Sequence, residues 1–298
     1  MIVDRFNFYD VYGYLIPGLT FITLLWLPFG IVTGKPPDDK LASLVVVLLL
    51  AYVIGHFLQA MATNAFSSQT ERNSAGKPAF PSVVLLDKSN TRMGHDLKRR
   101  VHNIVQSWFS INVAADEDSD EDIAQRRQDA YFICRPVVNA GKSYAEQFQG
   151  LYSMMRGLSL ALLLAVSYDF GWALAVFRDP KIAFALQVLG GECVLALAVL
   201  ASNAAGAFTV RLTGDTLTRS VRDRYSLGVI ALLLLCVGYL VGSRMTVYYE
   251  TAAMLAVLGT VLFAIAMRFF AQYKSFTVEH AKSVWAQIAA ERVRRPAS

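Results

Sequence analysis

The chain has 298 residues, of which 55% are hydrophobic and only 17% charged. Soluble domains carry about 25% charged residues, so this composition excludes an ordinary water-soluble globule and places much of the chain in lipid. Lys and Arg outnumber Asp and Glu by 28 to 23, a formal net charge of +5. That balance fits basic residues retained at one membrane face; nucleic-acid binding would need a basic patch with motif support, which is not present.

A helix needs about 20 mostly apolar residues to cross the hydrocarbon layer. Residues 12–33, 41–64, 157–177, 182–210, 225–242 and 251–272 come close. The first stretch has Asp4 and Asp10 against Arg5 and no small-x-small cleavage site, so it reads as a retained helix and not a signal peptide. Pro17 and Pro28 predict a kink or interruption within it, which membrane helices tolerate when neighbours satisfy the freed carbonyls. The second stretch carries His56, with Gln59 one turn later.

Residues 65–156 form a polar insertion. Its start, 67–80, is rich in Ser, Asn, Gly and Pro and reads as a loop. Over 95–111, Leu97, Val101, Ile104, Val105, Trp108 and Phe109 share a helical face. Asp116, Asp118 and Asp120 match the first alternating places of an EF-hand loop. However, Glu121 stands where the loop needs Gly, and Arg127 where it needs a bidentate Glu. The acidic run reads instead as a solvated loop whose last acids favour the N-terminus of the next helix. Residues 123–138 and 142–155 predict two more helices, with Pro136 kinking or ending the first. Three short helices supply little independent core, so the insertion is expected to lean on the membrane helices or on a second copy.

The third stretch poses a choice at Asp169. Either the helix ends near Tyr168 with Trp172 at the interface, where aromatic rings concentrate, or Asp169 is buried against protein. The turn at 178–181 predicts a hairpin into the fourth stretch, which holds Glu192 after two glycines, and Asn203. Ser202-x-x-x-Gly206 and Gly238-x-x-x-Gly242 permit close helix approach. Six spans are expected, with four or five as the fallback; a re-entrant pair at 157–210 would leave an even number of crossings. The tail, 274–298, has Val278, Ala281, Val284, Trp285 and Ile288 on one face, the pattern of an amphipathic helix. Its mixed-sign polar face favours packing on the insertion or another subunit over lying on a membrane surface.

The expected fold is therefore all-α: a polytopic bundle of about six spans with a small helical cytoplasmic insertion and an amphipathic C-terminal helix. The divisions fall at 1–64, 65–156, 157–273 and 274–298. Arg5, Arg211, Arg219, Arg222, Arg224, Lys274, Lys282, Arg292, Arg294 and Arg295 gather on one side with the insertion. Lys35, Lys40, Arg178, Lys181 and Arg244 lie on the other. The positive-inside rule then puts both termini and the insertion in the cytoplasm.

Ionisable groups within spans are functional candidates. His56 reads as a proton site or gate, or as an imidazole bonded to a neighbouring helix. Glu192 must be paired, protonated or wet, and could partner His56. Gln59 and Asn203 are interhelical hydrogen-bonding candidates. Arg156 and Arg268 lie near span ends and can snorkel. There is no Walker loop, GxSxG or HExxH. His95 and His102 are two turns apart, wide for one metal without a third ligand. The three cysteines form no CxxC pair. No catalytic activity, cofactor or metal is expected.

Short motifs run along much of the chain. They are Tyr9-Asp10-Val11-Tyr12-Gly13-Tyr14-Leu15-Ile16-Pro17-Gly18; Ala51-Tyr52-Val53-Ile54-Gly55-His56; Phe148-x-x-Leu151-Tyr152-x-x-x-Arg156; and Arg268-Phe269-x-x-x-Tyr273-x-x-Phe276. In these the chain resembles a loose set of uncharacterised bacterial multi-pass membrane proteins. Some of that set sit beside prokaryotic immune genes, which implies a membrane effector role and an inner-membrane location. The fourth stretch and its basic loop are additional to the pattern. The expected function is a non-enzymatic, homo-oligomeric pore-like effector, or a membrane anchor for a cytoplasmic protein partner. A small transporter or proton-coupled channel using His56 and Glu192 is the alternative.

Overall fold

The computed structural model describes residues 9–36, 41–73, 76–114, 120–139, 144–176, 231–240, 242–243 and 249–294. Of these, 85% are helical. The contacts divide the chain into two units. The first holds 1–67 and 153–273, and the second 68–152 and 274–298.

In the first unit a π-helical turn, Asp10–Leu15, feeds helix α1, Ile16–Thr33. Helix α2 covers Leu41–Ala65. The two cross at glycine. A Cβ on Gly18 would lie 1.8 Å from the Ala51 carbonyl oxygen, and one on Gly55 would lie 1.9 Å from that of Tyr14. Only a residue without a side chain lets the backbones approach so closely. Helix α6, Tyr144–Val176, is the central element: 83% of its apolar window is buried, against 28% and 22% for α1 and α2. A short apolar helix, α7, covers Ala231–Leu240, and the last helix, α8, covers Tyr249–Arg294.

Asp10–Thr33, Ser43–Ala65, Tyr144–Ala175 and Glu250–Ala290 are long and apolar enough to cross a membrane. Leu44, Val45, Leu49, Leu50, Val53 and Phe57 are exposed around α2, as are Met254, Val257 and Val261 on α8. Water does not tolerate so wide an apolar surface; acyl chains do. The fourth stretch, with Cys193, Glu192 and Asn203, lies outside the described residues, and the fifth is described only from Ala231.

Two expected boundaries are missing. Helices predicted separately at 142–155 and 157–177 are one helix, α6. Gly157 does not break it, because its bare face is used for packing: a Cβ there would lie 2.9 Å from Pro17 Cγ. Likewise the sixth stretch and the tail form one 46-residue helix, α8, because neither Gly nor Pro occurs between Gly259 and Pro296. At about 1.5 Å per residue, α8 is roughly 70 Å long, more than twice what a hydrocarbon layer needs. Pro136 lies inside helix α5, Asp120–Asn139, which continues past it to Asn139.

The second unit has an apolar core of its own. Helix α4, His95–Phe109, buries Val101, Ile104 and Val105, the centre of the predicted face. Helix α5 adds Ala130, Tyr131, Cys134 and Val138. The loop after the short helix α3, Pro81–Val84, adds Leu85, Leu86 and Met93. Val278, Ala281, Val284, Trp285 and Ile288 of α8 complete the cluster, so the amphipathic face of the tail is core. Trp285 is fully buried and donates Nε1–H to the Ser82 carbonyl at 3.1 Å. A two-residue antiparallel ladder, Glu71–Arg72 with Pro78–Ala79, closes the preceding loop.

Polar groups pin this core. Arg127, at the twelfth place of the acidic run, is buried and ion-pairs with Asp87. It also donates Nε–H to the Val113 carbonyl at 3.1 Å. Lys98 donates to the carbonyls of Asp87 and Asn90; burial lowers its ammonium's affinity for the proton, and Arg127 adds to that while Asp87 opposes it. Burial pushes the Cys134 thiol up to about 12, so it is an inert core residue. His280 is 4% exposed, with Nδ1 sharing a 2.8 Å hydrogen bond with the Tyr131 hydroxyl. Its Nε2 has no partner. Burial, aided by Arg135, holds this imidazole down at about 3.

Two outcomes follow for stability. Trp285→Ala opens a cavity and loses a hydrogen bond, so the second unit should weaken by about 3–5 kcal/mol. Limited proteolysis should then cut α4 or α5 first. The second outcome concerns pH. Between about 6.5 and about 3 the unfolded chain binds a proton at His280 that the folded chain refuses. Stability is therefore full above about 6.5 and falls as pH drops, by about 2 kcal/mol at pH 5. Thermal unfolding of the full chain in detergent at pH 7 and pH 5 reads this, and His280→Gln should flatten the slope.

Candidate functional site

Among the described residues of the first unit, polar side-chain contacts concentrate at one end of its helices. They start from Pro17. Proline has no N–H, so the carbonyl four residues earlier loses its α-helical donor. That carbonyl belongs to Gly13, and the π-helical turn lies across it. The side-chain amide of Gln59, on α2, donates to the Gly13 oxygen at 2.9 Å. The same Nε2 donates to the Ser153 carbonyl on α6.

The other end of the amide is also used. Gln59 Oε1 accepts from Arg156 Nε at 3.2 Å and from Arg156 Nη2 at 2.9 Å. Arg156 lies one turn after Ser153 on α6. Its guanidinium carbon sits 5.9 Å from the centre of the Tyr273 ring on α8, within the range of cation–π attraction. Tyr273 donates its hydroxyl to the Ser67 carbonyl at 3.1 Å. Gln59 is 4% exposed and Arg156 9%. One amide thus ties α1, α2 and α6 together, and one guanidinium carries the tie to α8. The described partners of Arg156 include no carboxylate.

His56 is on a different face. Its ring stacks on Tyr14, with centroids 3.7 Å apart and planes 20° from parallel, and Tyr52 meets it edge-on at 4.7 Å. It is exposed, so it does not join Gln59, although the two are one turn apart. Glu192 and Asn203 lie outside the described residues. Gly238 and Gly242 pack on α6: a Cβ on Gly238 would lie 2.2 Å from the Tyr168 carbonyl, and one on Gly242 would lie 3.2 Å from Trp172 Cα. Gly171 reciprocates, 2.1 Å from the Leu235 carbonyl by the same measure. This GxxxG therefore serves a contact within the chain.

At Asp169 the helix does not end. Helix α6 runs on to Val176, and both Asp169 and Trp172 are fully buried. Sequence reasoning found Gln59 and expected neighbouring helices to satisfy the carbonyls freed by proline, but it did not pair the two and it assigned Arg156 to snorkelling. The signal was present: a proline four residues after Gly13 leaves an acceptor that some donor must meet.

Neither Gln59 nor Arg156 is a nucleophile or a base at neutral pH, and their hydrogen bonds tie helices together. Among the described residues no group of three His, Cys, Asp or Glu side chains could hold a metal. Comparison with family models, curated proteins and solved structures returns no match.

The node predicts a graded set of variants. Gln59→Leu removes both donors and the acceptor and leaves a buried guanidinium without its hydrogen bonds; such bonds to charged groups contribute about 1.5–3 kcal/mol each. Arg156→Lys keeps the charge but loses the planar fork, so it should fall between wild type and Gln59→Leu. Thermal unfolding in detergent should rank them in that order, while His56→Ala stays within about 1 kcal/mol of wild type.

Proposed function

We infer that the chain is an integral membrane protein that does no covalent chemistry. It acts in the bacterial cytoplasmic membrane as an oligomeric effector that forms a pore, with its termini and second unit in the cytoplasm and a cytoplasmic protein partner acting on that unit. The observation that carries this reading is the build of α8. One uninterrupted helix supplies an apolar stretch long enough to cross a bilayer, and then the Trp285 face at the centre of a polar unit's core. A soluble sensing unit built on a membrane helix can turn an event on one into a change in the other. The wide apolar surfaces of α2 and α8 support lipid contact and self-association. The excess of Lys and Arg on the side of the insertion supports the orientation.

Leakage of ions and of a small dye across the inner membrane tests this, with the chain expressed at low and high level. Leakage should rise more steeply than abundance, as oligomerisation requires. It should survive His56→Ala at matched abundance and be altered by substitutions on the Trp285 face. A chain that is stable in the membrane yet leaks at no level would instead be an anchor, and its co-purifying proteins would identify its role.

A further inference from the structure

Among the described residues, a buried carboxylate has no hydrogen-bond partner. Asp169, on α6, is 0% exposed, and neither carboxylate oxygen has a hydrogen-bond partner. One turn on, Trp172 is also 0% exposed and packs beside Tyr168. A buried carboxylate with both oxygens unpaired is unusual, because buried polar groups are almost always paired.

No described residue forms an ion pair with Asp169. Tyr168 and Trp172 pack with Leu255 of α8, and Leu25, Ile31 and Val32 of α1 and Leu234 of α7 close around them. The described titratable group beside it is the Tyr168 phenol on the same helix, which supplies no cation. Asp169 is thirteen residues on from Arg156, about 20 Å along the axis, so that guanidinium is out of reach. A bare carboxylate in apolar surroundings is among the least tolerated states in a protein, and within a span it marks an ion or proton site.

We propose that Asp169 is a proton-binding site within the helix bundle, holding an exchangeable proton as the neutral carboxylic acid. The proton is the ligand that removes the charge without needing a ring of oxygen donors, and the protonated group becomes a donor. The site is separate from the Gln59–Arg156 tie, and it stands whether the chain forms a pore or an anchor.

A carbodiimide tests it, because it reacts with the acid and not with the anion. The acid's proton passes to a carbodiimide nitrogen, and the carboxyl oxygen adds to the central carbon. Migration of the acyl group from oxygen to nitrogen then leaves a stable N-acylurea, with no leaving group and no redox change. The full chain in native membranes is treated with a hydrophobic carbodiimide and, in parallel, with a water-soluble one, and the adducts are mapped by peptide mass. The hydrophobic reagent should modify the Asp169 peptide, with yield falling as pH rises, and the water-soluble reagent should spare it. Infrared difference spectra, wild type minus D169N, should show the C=O stretch of a protonated acid; Asp169→Ser serves as the second variant if D169N does not fold. An ionised-carboxylate signal in that difference overturns the proposal whatever the reagents do, and so does modification by the water-soluble reagent. Leakage is read separately, so failure here leaves the pore reading intact.

Discussion

The first unit depends on one amide. Gln59 is held by two carbonyls on one side and a guanidinium on the other, so its orientation is fixed by its neighbours and theirs by it. In an apolar bundle the hydrophobic effect does not choose between lateral packings, because lipid is as apolar as the helices. Polar pairings and close glycine contacts then decide which faces meet. Here the two act together. Gly18 and Gly55 bring α1 onto α2 at backbone distance, and that proximity puts the Gln59 side chain within reach of the carbonyl that Pro17 leaves free. Proline, glycine and glutamine in these places are one device.

The same residues explain why the motifs look as they do. Gly13, Pro17 and Gly18 belong to the first motif, Ala51 and Gly55 to the second, Arg156 to the third and Tyr273 to the fourth. They lie far apart in sequence yet form a continuous chain of contacts at one end of the unit. Phe148 and Phe276, from the third and fourth motifs, meet in the second unit with rings 6.3 Å apart. Short degenerate patterns spread over a chain are what helix packing demands, since each helix contributes only a turn or two to any one crossing.

Much of the architecture was legible as periodicity. The 3.6-residue pattern of Val278, Ala281, Val284, Trp285 and Ile288 marked a buried face, and that face is core. The pattern over 95–111 marked α4. Periodicity states which side of a helix is apolar but not what covers it, so the union of the tail with the sixth stretch as one helix was missed. The sequence there simply lacks a breaker, and the change from uniformly apolar to amphipathic looked like a boundary. At the site, Gln59 was legible as a polar residue in an apolar run. His56 looked stronger because it is ionisable, yet a residue three places away on a helix points about 60° from it, enough to leave His56 exposed against Tyr14 while Gln59 is enclosed. No one-dimensional pattern resolves that difference without knowing where α1 and α6 lie.

Helix α6 carries two polar problems and solves them differently. Arg156, near its start, is a permanent cation that cannot shed its charge, so the fold surrounds it with an amide oxygen and an aromatic face. Asp169, deeper along the same helix, can become neutral by taking a proton, and no described residue hydrogen-bonds to it. An arginine in the second position would demand a counter-ion, whereas an aspartate in the first could not donate to Gln59 or rest on Tyr273. Residue type at each depth therefore follows from whether its charge can be discharged. A buried group that is free to gain or lose a proton, on the helix that the rest of the first unit packs around, is where a small change in charge would be felt by every neighbouring helix.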